Sequence, residues 1–92
     1  MQATAELQVI PIGEGVSVRK EITRIIDLLS RCPLQIEPHA SGTDIQGEVK
    51  EILGAIETIH TTLHNEGAIR LISYLKLETR TDKTPTLADK KL

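Results

Sequence analysis

Between Val49 and Leu63 the apolar residues Val49, Ile52, Leu53, Ile56, Ile59 and Leu63 fall on one helical stripe, and Gly67 follows where a helix C-terminus would want a glycine. Directly after it the period changes from 3.6 to 2. Ile69, Leu71, Ser73, Leu75 and Leu77 alternate with Arg70, Ile72, Tyr74, Lys76 and Glu78, which predicts a long strand with one aliphatic and one mixed face. A helix that feeds a half-buried strand must share a core with it, and the rest of the chain supplies the same pair of patterns again. Ala5 to Ile12 reads as a strand closed by Pro11, Gly13 and Gly15. Ser17 is placed to cap a helix whose stripe is Val18, Ile22, Ile25, Ile26 and Leu29, ended by Pro33. Leu34 to Glu37, and Ile45 between Asp44 and Gln46, show period two on either side of a glycine-bearing turn, so they predict a hairpin.

The expected order is therefore strand, helix, strand, strand, helix, strand. That is an α+β, ferredoxin-like βαββαβ domain, a four-stranded antiparallel sheet with two helices on one face. Residues 1–92 form a single domain in this reading, with residues 80–92 a polar, loosely held C-terminal tail. The other sheet face stays open. Period two places Gln35, Glu37, Gln46, Glu48, Arg70, Ile72, Tyr74 and Lys76 there, together with Ile10 and Ile12. Isoleucines on a face left to solvent suggest a cover, either another subunit or a ligand. At 92 residues burial alone gives modest stability, which also favours self-association.

Composition excludes several functions. Eleven Lys and Arg against thirteen Asp and Glu leave no basic stripe for a phosphate backbone, and one Tyr with no Phe or Trp leaves no stacking platform, so nucleic acid is not an expected partner. The single Cys32 excludes an intramolecular disulfide or a thiolate zinc cluster and fits a reducing compartment. No apolar run approaches the roughly 18–20 residues of a membrane span, and the N-terminus has no signal-like pattern. A cytoplasmic protein without membrane contact is expected.

Few residues suggest chemistry. Gly13 and Gly15 stand between strand and helix, but Val18 occupies the third glycine position of a dinucleotide fingerprint, so a tight turn is the simpler reading. His60 and His64 have the i, i+4 spacing of zinc peptidases, yet Thr61 replaces the glutamate base, and His60 falls within the apolar stripe. His60 is expected between helix and sheet, bonded to one partner, and no metal is expected. Ser17, Ser41, Ser73 and Cys32 have no sequence signal of an activating base, so no catalytic residue is named. In "HASGTDIQGE", His39 to Glu48, Gly42 suits a positive-φ turn and Gly47 a bulge or close backbone approach. Thr43, Gln46 and Glu48 offer hydrogen-bonding groups beside the open face. Pattern alone leaves binding site and plain turn equally supported there.

Taken in order, "VIPIGEGVSV", "PHASGTDIQGE", "IHTTLHNEGAIRL" and "LKLETRTDK" resemble the small thiamine-binding protein family, over residues 5–83. The matching positions are Pro11, Gly13, Ser17, Gly42, Thr43, Ile45, Gly47, Glu48, His60, Gly67, Arg70, Lys76, Arg80, Asp82 and Lys83. The resemblance implies a ferredoxin-like domain that assembles through its sheets into dimers and tetramers. It implies binding of thiamine or its hydroxymethylpyrimidine moiety at or near a subunit interface, without catalysis and with no cofactor beyond that ligand. The candidate ligand-binding residues are Ser17, Thr43, Gln46, Glu48 and Tyr74: polar edges of the pyrimidine would be read by Thr43, Gln46 and Glu48, Ser17 would add a hydroxyl, and Tyr74 would stack. The family often carries Glu where this chain has Gln46, and an amide offers hydrogen bonds without charge, which suits a neutral pyrimidine better than the thiazolium cation. Arg70 and Lys76 are assigned to pairing with Glu37, Glu48 or Glu78, or to a ligand phosphate. The alternative is a homo-oligomeric protein-interaction module with no small ligand.

Overall fold

The structure is a computed structural model that describes residues 1–13 and 19–91. Ser17, expected as helix cap and ligand contact, lies outside the described residues. The elements run β1 (Gln2–Ile12), α1 (Arg19–Ser30), β2 (Gln35–His39), β3 (Gly42–Glu48), α2 (Val49–Asn65) and β4 (Arg70–Glu78), then a 3-10 turn at Ala88–Lys90. The strands form one sheet in the order β2-β3-β1-β4, every neighbour antiparallel. This is the expected α+β ferredoxin-like arrangement.

Ala3, Ala5, Leu7 and Ile45 of the sheet meet Ile25 and Leu29 of α1 and Ile52, Ala55, Ile59 and Leu63 of α2 in one buried core. Period two in β1 sends Ala3, Ala5 and Leu7 into that core and Gln2, Glu6 and Gln8 to the other face. β1 begins three residues before the expected Ala5, because Gln2, Ala3 and Thr4 continue the same alternation and pair with Glu48, Gly47 and Gln46. No bulge occurs at Gly47, since the β1–β3 register runs without interruption from Gln2↔Glu48 to Leu7↔Thr43. Packing favours a small residue there: a β-carbon would run into the end of the Leu34 side chain, which would have to shift to make room. β2 extends through Pro38 to His39, and a proline without an N–H is tolerated there because β2 is a sheet edge.

Helix α2 stops as its sequence requires. Gly67 adopts φ 112°, its N–H donates to the His64 carbonyl at 3.1 Å, and the Ala68 N–H donates to the Leu63 carbonyl at 2.9 Å, the paired bonds of a Schellman cap.

The tail does not lie loose. Leu87 is 3 % exposed, its N–H donates to Gln46 Oε1 at 2.8 Å, and Pro85 is buried as well. Lys90 Nζ lies 2.8 Å from Glu78 and Lys91 Nζ 2.7 Å from Glu37. Its composition is polar, but one leucine and two lysines suffice to fasten it to the open face. Among the described residues, no helix is long and apolar enough to cross a membrane.

Candidate functional site

Strand β1 outruns its neighbour on one side. Its pairing with β3 ends at Leu7↔Thr43, whereas its pairing with β4 continues to Ile12↔Arg70. Among the described residues, the β1 backbone from Gln8 to Ile12 therefore has no strand on the β3 side, and its polar groups there are available to a ligand. Helix α1 lies over this gap with Ile22, Ile25 and Ile26, and the hairpin loop bounds its end. Together they enclose a cavity of about 290 Å³, lined by Leu7 to Pro11, the three isoleucines of α1, and Pro38 to Thr43.

The walls are mainly aliphatic. Polar character comes from Thr43, Ser41 and the free β1 backbone edge, Gln8 included, and no Lys or Arg is among the described lining residues. Apolar walls with a few convergent polar groups are the usual form of a small-molecule pocket. Ile22 explains itself here: it is 46 % exposed, although its stripe position pointed to the core, because the part of α1 carrying it faces the cavity rather than packed side chains.

The stretch His39 to Glu48 divides at its middle. Its first half, His39 to Thr43, lines the cavity, and its second half is strand. Gly42 is needed for close approach: a β-carbon on it would lie 2.7 Å from the Leu7 carbonyl oxygen. The His39 ring folds over the open face, with Nδ1 accepting the Ser41 N–H at 3.3 Å and Nε2 lying 3.1 Å from Asp44 Oδ1.

The residues named from sequence are spread over different places. Thr43 shares the core-side face with Ile45, two residues away, and is buried at the cavity wall rather than beside the open face. Gln46 is on the open face and accepts the Leu87 N–H. Glu48, at the far end of β3, takes the N-terminal ammonium at 2.6 Å and Gln2 Nε2 at 3.0 Å. Those two bonds hold its carboxyl below the ordinary glutamate range, the ammonium contributing most. Tyr74 stands on the open face opposite Gln8 and is 61 % exposed. Of these four, Thr43 alone lines the cavity.

The partners proposed for Arg70 and Lys76 are engaged by other groups: Glu37 by Lys91, Glu78 by Lys90 and Glu48 by the N-terminus. Sequence spacing did not reveal these pairs because the tail's return over the sheet is a tertiary contact. His60 sits between helix and sheet with one partner, Nε2 2.6 Å from Ser73 Oγ. His64 Nδ1 lies 2.7 Å from the Ala68 carbonyl oxygen. The two rings are thus held by separate neighbours.

Comparison with known proteins agrees with this architecture. The family model described as "Thiamine-binding protein" matches residues 5–92. The UPF0045 protein of Methanocaldococcus jannaschii is 36% identical over 89 residues, covering 97% of this chain and 88% of its own. A Synechocystis UPF0045 protein is 34% identical over 90 residues, covering 98% and 74%. The crystal structure of the Methanocaldococcus protein superposes with a TM-score of 0.90, covering 97% of this chain and 91% of that one. A Thermotoga maritima protein, provisionally assigned to thiamine biosynthesis or salvage, shares the fold with a TM-score of 0.86 at 23% identity, covering 98% and 95%. With the model matched from the first strand to the last residue and two relatives above 30% identity, the chain belongs to the thiamine-binding protein family.

Proposed function

We propose that this protein binds the hydroxymethylpyrimidine moiety of thiamine, free or within the vitamin, in the cavity between α1, β1 and the β2–β3 hairpin, and does so without chemical turnover. The cavity itself carries the reading: about 290 Å³ is at the lower end of ligand pockets, roughly 300–1,000 Å³, and suits one aromatic ring better than a whole phosphorylated cofactor. Its aliphatic walls would sandwich the ring, while the Thr43 hydroxyl and the free β1 edge would pair with ring nitrogens and the amino group. A lining without Lys or Arg among the described residues favours a ligand without phosphate. The family match supports the ligand class, and the provisional thiamine assignment of the Thermotoga maritima protein points the same way.

Self-association is the second part of the proposal. Ile10, Ile12, Ile72 and Tyr74 occupy one end of the open face, where Ile10 pairs with Ile72 and Gln8 with Tyr74. The tail fastens at Gln46, Glu78 and Glu37, so this apolar end is left for a second copy, in a dimer or tetramer working in the cytoplasm. Calorimetric titration with hydroxymethylpyrimidine, thiamine and thiamine diphosphate, with light scattering on the same sample, tests both parts. Saturable binding strongest for the free pyrimidine supports the reading, and a folded oligomer that gives no heat leaves the interaction module in its place.

A further inference from the structure

The open face carries a row of acids. Glu37 of β2, Asp44 of β3 and Glu6 of β1 are direct cross-strand partners, and Lys76 of β4 completes the row opposite Glu6. Like charges directly opposite in a sheet repel, so the row needs cations near it. Glu37 has Lys91 at 2.7 Å. Between Asp44 and Glu6 lies the His39 imidazole, its Nε2 3.1 Å from Asp44 Oδ1 and 3.5 Å from Glu6 Oε2. One ligand atom from each of Glu6, His39 and Asp44 falls within 4.8 Å of the others, close enough for side-chain torsions to bring all three onto one ion.

A second observation comes from the same place. A cavity of about 200 Å³ between the sheet and the tail is lined by Thr4, Glu6, Glu37, Asp44 and Glu78 together with Lys76, Lys90 and Lys91, of which Lys90 and Lys91 are paired with Glu78 and Glu37, and Leu87 closes it. Thr4 is 2 % exposed, and its hydroxyl has no hydrogen-bond partner among the described residues. It shares the open face with Glu6, two residues on. A buried hydroxyl left unpaired is a standing cost, and a polar occupant of the cavity would remove it. At about 30 Å³ per water, the space holds an ion together with several of its waters.

We infer that Glu6, Asp44 and His39 bind a divalent transition-metal ion on the open face, with its water shell reaching toward the Thr4 hydroxyl. One imidazole nitrogen with two carboxylate oxygens suits manganese, ferrous iron, cobalt or zinc, whereas calcium and magnesium prefer oxygen ligands throughout. No local sequence pattern encodes this site, because its three residues come from three strands. The bond from the Ser41 N–H to His39 Nδ1, at 3.3 Å, places the proton of the neutral ring on Nε2. Metal at Nε2 shifts that proton to Nδ1 and releases Ser41, so loading moves the loop that also bounds the ligand cavity. His60 and His64 do not compete, since Ser73 and the Ala68 carbonyl hold them.

The test is titration of the whole chain with cobalt(II) chloride, followed by visible d–d absorption, and with zinc(II) by calorimetry. One ion per chain is expected, with affinity reduced at least about tenfold in His39→Ala, Glu6→Gln and Asp44→Asn, the loss typical of a removed metal contact. The double variant His60→Ala/His64→Ala should bind as the parent does. Circular dichroism establishes that each variant is folded, and Glu6→Gln and Asp44→Asn, which keep side-chain shape, carry the test if His39→Ala is not. Absence of a saturable cobalt band in the parent protein overturns the inference. So does unchanged affinity in both Glu6→Gln and Asp44→Asn, or loss confined to the His60/His64 variant.

Discussion

Gly42 stands so close to Leu7 that a β-carbon on it would lie 2.7 Å from the Leu7 carbonyl oxygen. The hairpin is pressed against β1 at the point where their pairing ends, and the same contact sets one boundary of the ligand cavity. Gly42→Ala must push backbone against backbone, which cannot yield as a flexible side chain would. We expect a loss of about 1–3 kcal/mol, read as a lower midpoint in urea unfolding with unchanged slope. A midpoint within error of the parent's would show that the hairpin can retreat freely from β1.

Thr43 is buried at the cavity wall with its hydroxyl as the group that distinguishes it from valine. Thr43→Val keeps the shape and removes one hydrogen bond, worth about 0.5–1.5 kcal/mol. Affinity for hydroxymethylpyrimidine should fall by roughly 2- to 12-fold while the scattering mass is unchanged. Equal affinity would remove Thr43 from the site.

Leu87 fastens the tail to the sheet, with Gln46 as its backbone acceptor. Leu87→Ala deletes a buried side chain, a change that costs up to about 2–5 kcal/mol in a packed site. A short docked segment has little else to hold it, so the tail should come free. Amide exchange in residues 79–91 should then approach unprotected rates while the sheet keeps its protection. Protection retained at the Leu87 amide would mean that the lysine pairs alone secure the tail.

Acid should act on the same segment. The Lys90 hydrogen bond, more than any other influence, keeps the Glu78 carboxyl below its ordinary range. A carboxyl with a lowered folded pKa stabilises the docked state above its unfolded pKa, about 4.3 for glutamate, and that contribution disappears as pH falls through the lower folded value. The tail should therefore stay docked at neutral pH and loosen only in acid, seen as rising ¹⁵N mobility of residues 85–91. Lys90→Ala should remove the part of this pH dependence due to Glu78. The pair is solvent-exposed, so added salt should weaken its contribution.

The order of elements was legible because each helix and strand carries its own period, and tertiary packing agreed with it. The stop at Gly67 and the placement of His60 were legible for the same reason: both follow from position on a helix whose apolar stripe is unbroken. The candidate site was harder to read. Thr43 and Gln46 are three residues apart and looked like one array, but three is an odd number on a strand, so they face opposite sides of the sheet. The cavity depends on where β1 outruns β3, a register that no local pattern encodes. The Glu6, His39 and Asp44 cluster likewise depends on strand order. The tail's docking rests on Leu87, buried with Pro85, and on two lysine pairs, too brief a signal for periodicity.

The central claim is a pyrimidine held in the cavity beneath α1. Its most direct measurement is an isotope-filtered nuclear Overhauser spectrum of the protein mixed with hydroxymethylpyrimidine. Contacts are expected from the ligand methyl group to the side chains of Val9, Ile22 and Ile26, which line that cavity. Contacts to Tyr74 and Ile72 on the open face, with none to α1, would contradict it.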